Sequence, residues 1–444
     1  MVKLDNIVID TEFGAIDFPS QKIYEFILKL NKERAKNADL RLADIESFFK
    51  DEDYSHEYKN LHSHKVQSYI YSFWEVVERD FNIEKIINYD AKNQAEKPPK
   101  GFDFKISPDE KRHLLLDCII FMKSKENEEK MVLDITPYHD SDSVMIDIEA
   151  YCDSNGAGFR GLWKSIEQHF AQEGSLKNRL FNTAWDYVDF DERNWDSIVI
   201  SDEDRKTIDR NIISFIANIE EYRDLRLPTS RGLLITGPPG TGKTLLCETI
   251  INQVNCTKVY VTSDSVSKIG DIKEIYRVAR VLSPSIVIIE DIDTLGGLDR
   301  RQDGNHPLLG EFLNCLNGVG SNDGVVTLAT TNYPKHLDSA LVDRPGRIDL
   351  RIDFDLPSKE IREHIFKKYL SELKTSKIDY SDLSKKSEGM TGAYIREVVM
   401  SSYMISQETD GIITQKTILE ALKSVKEMRG ALYGNKDNNK TYYN

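Results

Sequence analysis

Hydrophobic positions along the chain change their spacing several times, and each change predicts a different kind of element. Near the amino terminus Ile23, Phe26, Ile27 and Leu30 recur at i, i+3, i+4 and i+7, and a second amphipathic stretch runs from Tyr58 to Phe81. Both have helical spacing, so residues 1–92 are expected to be a helical module. The Pro- and Lys-rich NQAEKPPKG at 93–101 reads as a loop or linker. MVLDITPYHD and VMIDIEAYCD then alternate apolar and polar residues, which predicts two antiparallel strands joined by the turn Ser141 to Ser143. Leu162, Trp163, Ile166 and Phe170 mark one face of a helix between Gly158 and Arg179. Residues 93–190 therefore read as an α+β partner-binding region, closed by the aromatic-rich FNTAWDYVDFDERNWDSIVI, which leads into the next domain.

From 191 to 356 the apolar runs are short and continuous: GLLIT, KVYVT, SIVIIE and VVTLAT. Such runs separated by helical stretches predict a parallel sheet covered on both faces. Residues 357–430 return to helical spacing, with Ile361, Ile365, Phe366 and Tyr369 on one face, and form a small helical domain. The polar tail 431–444 is expected to be disordered. The fold class is thus α/β, with an α+β region before it and a helical lid after it.

A chain of 444 residues is long enough for two or three domains, and 40% hydrophobic with 30% charged residues is an ordinary globular composition. The net charge of −15 argues against a nucleic-acid footprint, although it leaves room for a local basic pore in a ring. Five cysteines (Cys118, Cys152, Cys247, Cys256, Cys315) without a CxxC fit a reducing compartment. The longest apolar run, His113 to Met122, is broken by Asp117, so no membrane span is expected. The start MVKLDNIVID has no signal-peptide plan, and the expected location is cytoplasmic.

Residues 237–244 read GPPGTGKT between an apolar run and a helix-forming stretch. Gly237, Gly240 and Gly242 allow positive φ and close backbone approach, so that successive N–H groups can face a polyphosphate. Pro238, Pro239 and Thr241 complete the loop, and Leu245 follows in the helix whose amino end carries free amides. Lys243 adds a cation at the β- and γ-phosphates and Thr244 a hydroxyl for Mg²⁺. Glu290 and Asp291 end the apolar run SIVIIE, where ligands of open α/β sheets bind. By position Glu290 is the metal-side acid, acting on Mg²⁺ through water, and Asp291 the base for an attacking water. Asn332 ends VVTLATTN and can position that water. Arg344 and Arg347 in DRPGRID lie on an exposed turn and can reach the γ-phosphate in a neighbouring subunit. His62 and His64, two apart in a helical stretch, point to different faces and are not expected to bind metal.

The order of these motifs, followed by SEGMTGAYIRE, resembles the classical AAA group of AAA+ ATPases over residues 193 to 430. The resemblance implies ATP and Mg²⁺ as cofactors, a P-loop α/β module with a helical lid, and a homo-oligomeric ring, commonly a hexamer. It also implies that Gly392 and Ala393 pack near the adenine and that Asp196 and Ile198 cover the base from the other side. Two features depart from the common pattern. The acidic pair runs Glu290 then Asp291, an order resembling the mitochondrial translocase of the folded Rieske protein. The stretch SDSVSKIGDIKEIY lacks the usual aromatic gripping residue and offers only Lys268, Ile269 and Gly270. There is no HExxH, so a single-chain AAA metalloprotease is not expected. The expected function is ATP-driven remodelling or translocation of a protein client held by residues 1–190. A nucleotide-controlled switch on a nucleic-acid-associated effector, for example in defence against mobile elements, stays open, as does an ATP-bound scaffold.

Overall fold

The computed structural model describes residues 7–11, 14–18, 38–50, 54–61, 63–89, 96–140, 143–153, 155–262, 265–266, 270–294, 307–317, 322–333 and 348–433. The chain divides into two compact units, Met1–Val188 and Asp189–Asn444.

In the first unit β1 (Ile7–Thr11) and β2 (Gly14–Phe18) pair with each other. The helix α1 (Ala38–Phe49), strand β3 (Ser55–Leu61), helix α2 (Ser63–Asp80) and strand β4 (Phe81–Tyr89) follow. Next come β5 (Glu96–Lys97), β6 (Lys100–Lys105), β7 (Lys111–Ser124), β8 (Lys130–Asp140), β9 (Ser143–Cys152), helix α3 (Ala157–Glu173) and β10 (Leu180–Asn182). Strands β3 to β9 form one antiparallel sheet of order β3-β9-β8-β7-β4-β5, and β6 pairs with the first half of β7. Alternation along β7 sends Ile119 and Phe121 to one face, where Ile45 and Phe49 of α1 cover them together with Ile87, Val132 and Tyr151. Arg41 fastens α1 to this face by donating to Asp134 at 2.6 Å and to Glu149 at 3.0 Å. Helices α2 and α3 pack on each other, with Tyr69 stacked on Phe170 at 4.3 Å between centroids.

The paired strands β8 and β9 lie where the alternation predicts them. The expectation of a separate helical module at 1–92 is overturned. Strand β3 pairs with β9 and β4 with β7, so no domain boundary falls at 92. Of the stretch Tyr58 to Phe81 only Ser63–Asp80 is helix, and β4, which follows it, pairs with β7 through a register shift between Ile83 and Lys85. A bulge breaks the period of two and leaves Ile83, Ile86 and Ile87 at helical intervals. The 93–101 linker is corrected likewise, since Glu96–Lys97 and Lys100–Lys105 are strands of the sheet. Tyr58 belongs to β3, and the helix begins only at Ser63. The run from Ile23 to Leu30 and the residue His62 lie outside the described residues.

The second unit opens with short helices, α4 (Asp202–Ile208), a π-turn (Asp209–Ile213), α5 (Ser214–Ala217) and α6 (Ile219–Asp224). Strand β11 (Arg231–Thr236) leads to α7 (Lys243–Gln253), β12 (Thr257–Val261) to α8 (Asp271–Val281), and β13 (Ser285–Ile289) precedes α9 (Pro307–Asn317). Strands β14 (Val325–Thr331) and β15 (Leu350–Asp353) complete a parallel arrangement of order β12-β13-β14-β11-β15. Every residue of β13 and β14 is buried, which explains their unbroken apolar runs. The helices α10 (Lys359–Leu370), α11 (Tyr380–Lys386), α12 (Gly392–Gln407) and α13 (Gln415–Tyr433) share a core built on Phe366, Leu383, Ile395, Val398 and Ile418. Ser358, Asp379 and Thr391 cap the first three of them by accepting from backbone N–H groups. Helix α13 continues to Tyr433, past the expected end at 430; residues 434–444 are outside the described residues.

Candidate phosphate-binding and catalytic site

The loop between β11 and α7 follows a path that only glycine permits at its bends. Gly237 has φ +147°, and a Cβ there would lie 2.1 Å from the Phe354 carbonyl oxygen. Gly240 and Gly242 have φ +78° and +111°. Pro238 is buried and Pro239 exposed, and the Thr241 hydroxyl closes the loop by donating to Pro238 O at 2.9 Å. Gly242 starts α7, so the free amides of that helix, which carries Thr244 and Leu245 in its first turn, open toward the loop.

Lys243 is 7% exposed and its ammonium is fully engaged. It donates to Gly237 O at 2.7 Å, to Pro238 O at 3.0 Å and to Asn332 Oδ1 at 2.7 Å. Burial lowers its pKa, against the opposing pull of Asp291 and Asp293. The same Asn332 amide donates through Nδ2 to Asp291 Oδ1 at 2.7 Å. A lysine can only donate and a carboxylate accepts, so the amide is oriented by its two neighbours.

Asp291 itself has φ +48°, in the left-handed region that few non-glycine residues occupy. It is held there by its N–H on Thr330 Oγ1 at 2.9 Å and by its carbonyl, which accepts from Thr294 N at 2.7 Å. Asp293 Oδ1 accepts from Thr331 Oγ1 at 2.8 Å and from Asn332 N at 3.1 Å, which fixes the end of β14. Glu290 accepts from the Tyr260 hydroxyl at 2.8 Å through Oε2, while Oε1 is buried with no hydrogen-bond partner. Burial raises the Glu290 carboxyl above its ordinary range, opposed by the hydroxyls of Tyr260 and Thr244. A hydroxyl beside an uncommitted buried carboxylate oxygen is a hard-oxygen donor set, which fits Mg²⁺.

The carboxy-terminal helices touch this loop directly. Ala393 N donates to Gly240 O at 3.1 Å, and a Cβ on Gly392 would come within 3.7 Å of the same oxygen. The segment before α4 runs between the two parts of the unit. Arg193 lies 3.4 Å from Glu248 of α7, and Asp196 O accepts from Lys368 of α10 at 2.6 Å. The Asp196 side chain is exposed, Ile198 is buried, and Val199 packs on the core of the carboxy-terminal helices.

Asp291, Glu290 and Asn332 are thus gathered around the loop 237–244, with Gly392 and Ala393 against Gly240. Arg344 and Arg347 lie outside the described residues, as do Lys268 and Ile269. Gly270, with φ +106°, opens α8, and its N–H is held by the Glu311 carboxylate at 2.9 Å. Sequence reasoning missed Tyr260, Asp293 and Thr330. The one available signal was a tyrosine set between Val259 and Val261 near the end of a strand.

Gly240→Ala is expected to lower the unfolding temperature of the nucleotide-free protein by roughly 2 to 8 °C, the cost of a non-glycine residue at positive φ. Its Cβ would also sit 3.0 Å from Ala393 Cβ, so nucleotide binding should weaken in parallel. Calorimetry and a fluorescent-nucleotide titration check both effects.

Comparison with known proteins agrees with this geometry. Residues 233–356 match the family described as ATPase family associated with various cellular activities (AAA), so this segment is an AAA domain. The "ATP-dependent zinc metalloprotease FtsH 2" of Salinibacter ruber (strain M8) is 30% identical over 230 residues, 49% of this chain and 33% of that protein. The "ATP-dependent zinc metalloprotease YME1 homolog" of Schistosoma mansoni is 32% identical over 200 residues, 43% of this chain and 30% of that protein. The "Proteasome-activating nucleotidase" of Sulfurisphaera tokodaii is 32% identical over 224 residues, 48% of this chain and 57% of that protein. The chain therefore spans about a third of the metalloproteases and little more than half of the nucleotidase. The fold is that of a P-loop AAA domain, an α/β module joined to an α+β amino-terminal region.

Proposed function

We propose that this chain is a Mg²⁺-dependent ATPase that works as a homo-oligomeric ring, a hexamer, and uses hydrolysis to remodel or move a protein client engaged by residues 1–190. The observation that carries this reading is the relay Lys243–Asn332–Asp291 beneath the loop 237–244. Phosphate oxygens offer Lys243 acceptors in place of the Gly237 and Pro238 carbonyls it now holds. Loss of the lysine from Asn332 leaves that amide free to hold the attacking water, and Asp291 accepts the water's proton. Thr244 and Glu290 would hold Mg²⁺, which supplies charge stabilisation at the phosphates when bound. Arg344 or Arg347 of a neighbouring copy is proposed to complete the site on the strength of the motif alone.

Two separate exposed apolar patches on the second unit support head-to-tail association. Met400, Tyr403 and Met404, the last 63% exposed, share one side of α12. Leu225 and Leu227 stand in the loop before β11. Two different patches that meet across copies make a heterologous contact, the kind that closes rings. The names of the relatives, ATP-dependent proteases and a proteasome-activating nucleotidase, support a protein client. The chain has no HExxH, so no protease centre is proposed for it. The Glu-Asp order and the missing aromatic grip support a client handled folded, as in the Rieske-protein translocase. Among the described residues no helix is long and apolar enough to cross a membrane.

The test is ATP hydrolysis followed together with particle mass. Discrete assemblies with ATP, reduced to single chains by Met404→Glu with at least a tenfold fall in turnover, are the expected result. Full turnover by single chains would defeat the ring, and turnover stimulated by nucleic acid in a salt-sensitive way would put the nucleic-acid switch in its place.

A further inference from the structure

Glu290 carries its carboxylate on two methylenes just past the end of β13, so its position has to be fixed by a partner. The parallel register sets Tyr260 opposite Ile288, and Glu290 N donates to Val261 O at 3.0 Å. Ile288 and Glu290 are two apart and share a sheet face, so Tyr260 stands beside Glu290 on that face. Its hydroxyl donates to Oε2 at 2.8 Å. The Tyr260 ring packs in turn against Phe190 in a T-shaped contact, with centroids 5.0 Å apart and planes at 76°. Oε1 is left buried and without a hydrogen bond.

We infer that Tyr260 is a positioning residue: it commits one oxygen of Glu290 and reserves the other for a hard divalent cation. This rests on the proposed reading of the site as one for ATP with Mg²⁺. Partners that orient a metal-binding carboxylate without touching the ion typically contribute roughly 10- to 100-fold in metal affinity. The Phe190 contact supports the ring in the orientation that makes this bond, whereas a tyrosine serving only to fill the sheet face would act the same without its hydroxyl.

Tyr260→Phe removes the hydroxyl and keeps the ring. Two binding measurements on the full chain separate the possibilities: ATP affinity with chelator present, and Mn²⁺ affinity of the ATP complex read by electron paramagnetic resonance. The expected result is unchanged metal-free ATP affinity with Mn²⁺ affinity reduced roughly 10- to 100-fold. In a Glu290→Gln background the Tyr260→Phe change should have no further effect on Mn²⁺. If the wild-type protein binds Mn²⁺–ATP and Tyr260→Phe binds it equally well, the positioning role is overturned while the ATP site stands. A fall in metal-free ATP affinity equal to the fall for Mn²⁺ would also overturn it, because the loss would then be of the fold. Failure of the wild-type protein to bind ATP at all would overturn the site reading itself.

Discussion

Asp291→Asn should retain ATP while losing turnover by roughly a hundred- to ten-thousandfold, the usual contribution of a positioned general base. Asparagine suits the test because it tolerates the left-handed backbone of this residue, φ +48°, better than alanine or glutamine. Its side-chain oxygen can still accept from Asn332 Nδ2, now at 2.7 Å from Asp291 Oδ1, so the relay survives while the proton acceptor is lost. Phosphate release measured beside nucleotide retention separates the two effects. Undiminished turnover would mean that another group takes the proton, with Glu290 and Asp293 the acids beside it.

Lys243→Ala is expected to weaken ATP binding by roughly 30- to several-thousandfold, corresponding to about 2–5 kcal/mol for a buried charged contact. Nucleotide-free protein should be affected too. The ammonium ties together the Gly237 and Pro238 carbonyls and the Asn332 amide, and its removal leaves three acceptors without their donor. Equilibrium titration with labelled ATP, alongside calorimetry without nucleotide, measures both. Affinity within twofold of wild type would show that the loop binds phosphate through its backbone alone.

The parts of this molecule that could be read from sequence are those whose chemistry is local. A run such as GLLIT needs only burial on both faces to be a central strand, and GPPGTGKT needs only its glycines and its lysine to make the loop. The acids at 290 and 291 and the amide at 332 were legible because each ends such a run. Strand β4 was not, since its pairing with β7 carries a register shift that breaks the alternation a strand normally shows. Tyr260 and Asp293 were hidden for a different reason. Each acts on a partner about forty or fewer residues away through a register that exists only once the sheet has formed: Tyr260 on Glu290, and Asp293 on Thr331. The roles of Arg344 and Arg347 rest on the motif, as they did at the outset.

The first sheet also sets an order of events during synthesis. Strand β3 has its sole described neighbour in β9, and Ser55 pairs with Cys152, 97 residues later in the chain. At about 5–20 residues per second the ribosome needs roughly 5–20 s to deliver that partner. The meander β7-β8-β9 joins neighbours in sequence and can condense as soon as it emerges, whereas β3 has to wait and is added last. Truncation before residue 143 therefore releases a chain whose β3 has no β9 to pair with, and a translational pause there leaves that strand exposed for longer, in both cases a template for association with other chains.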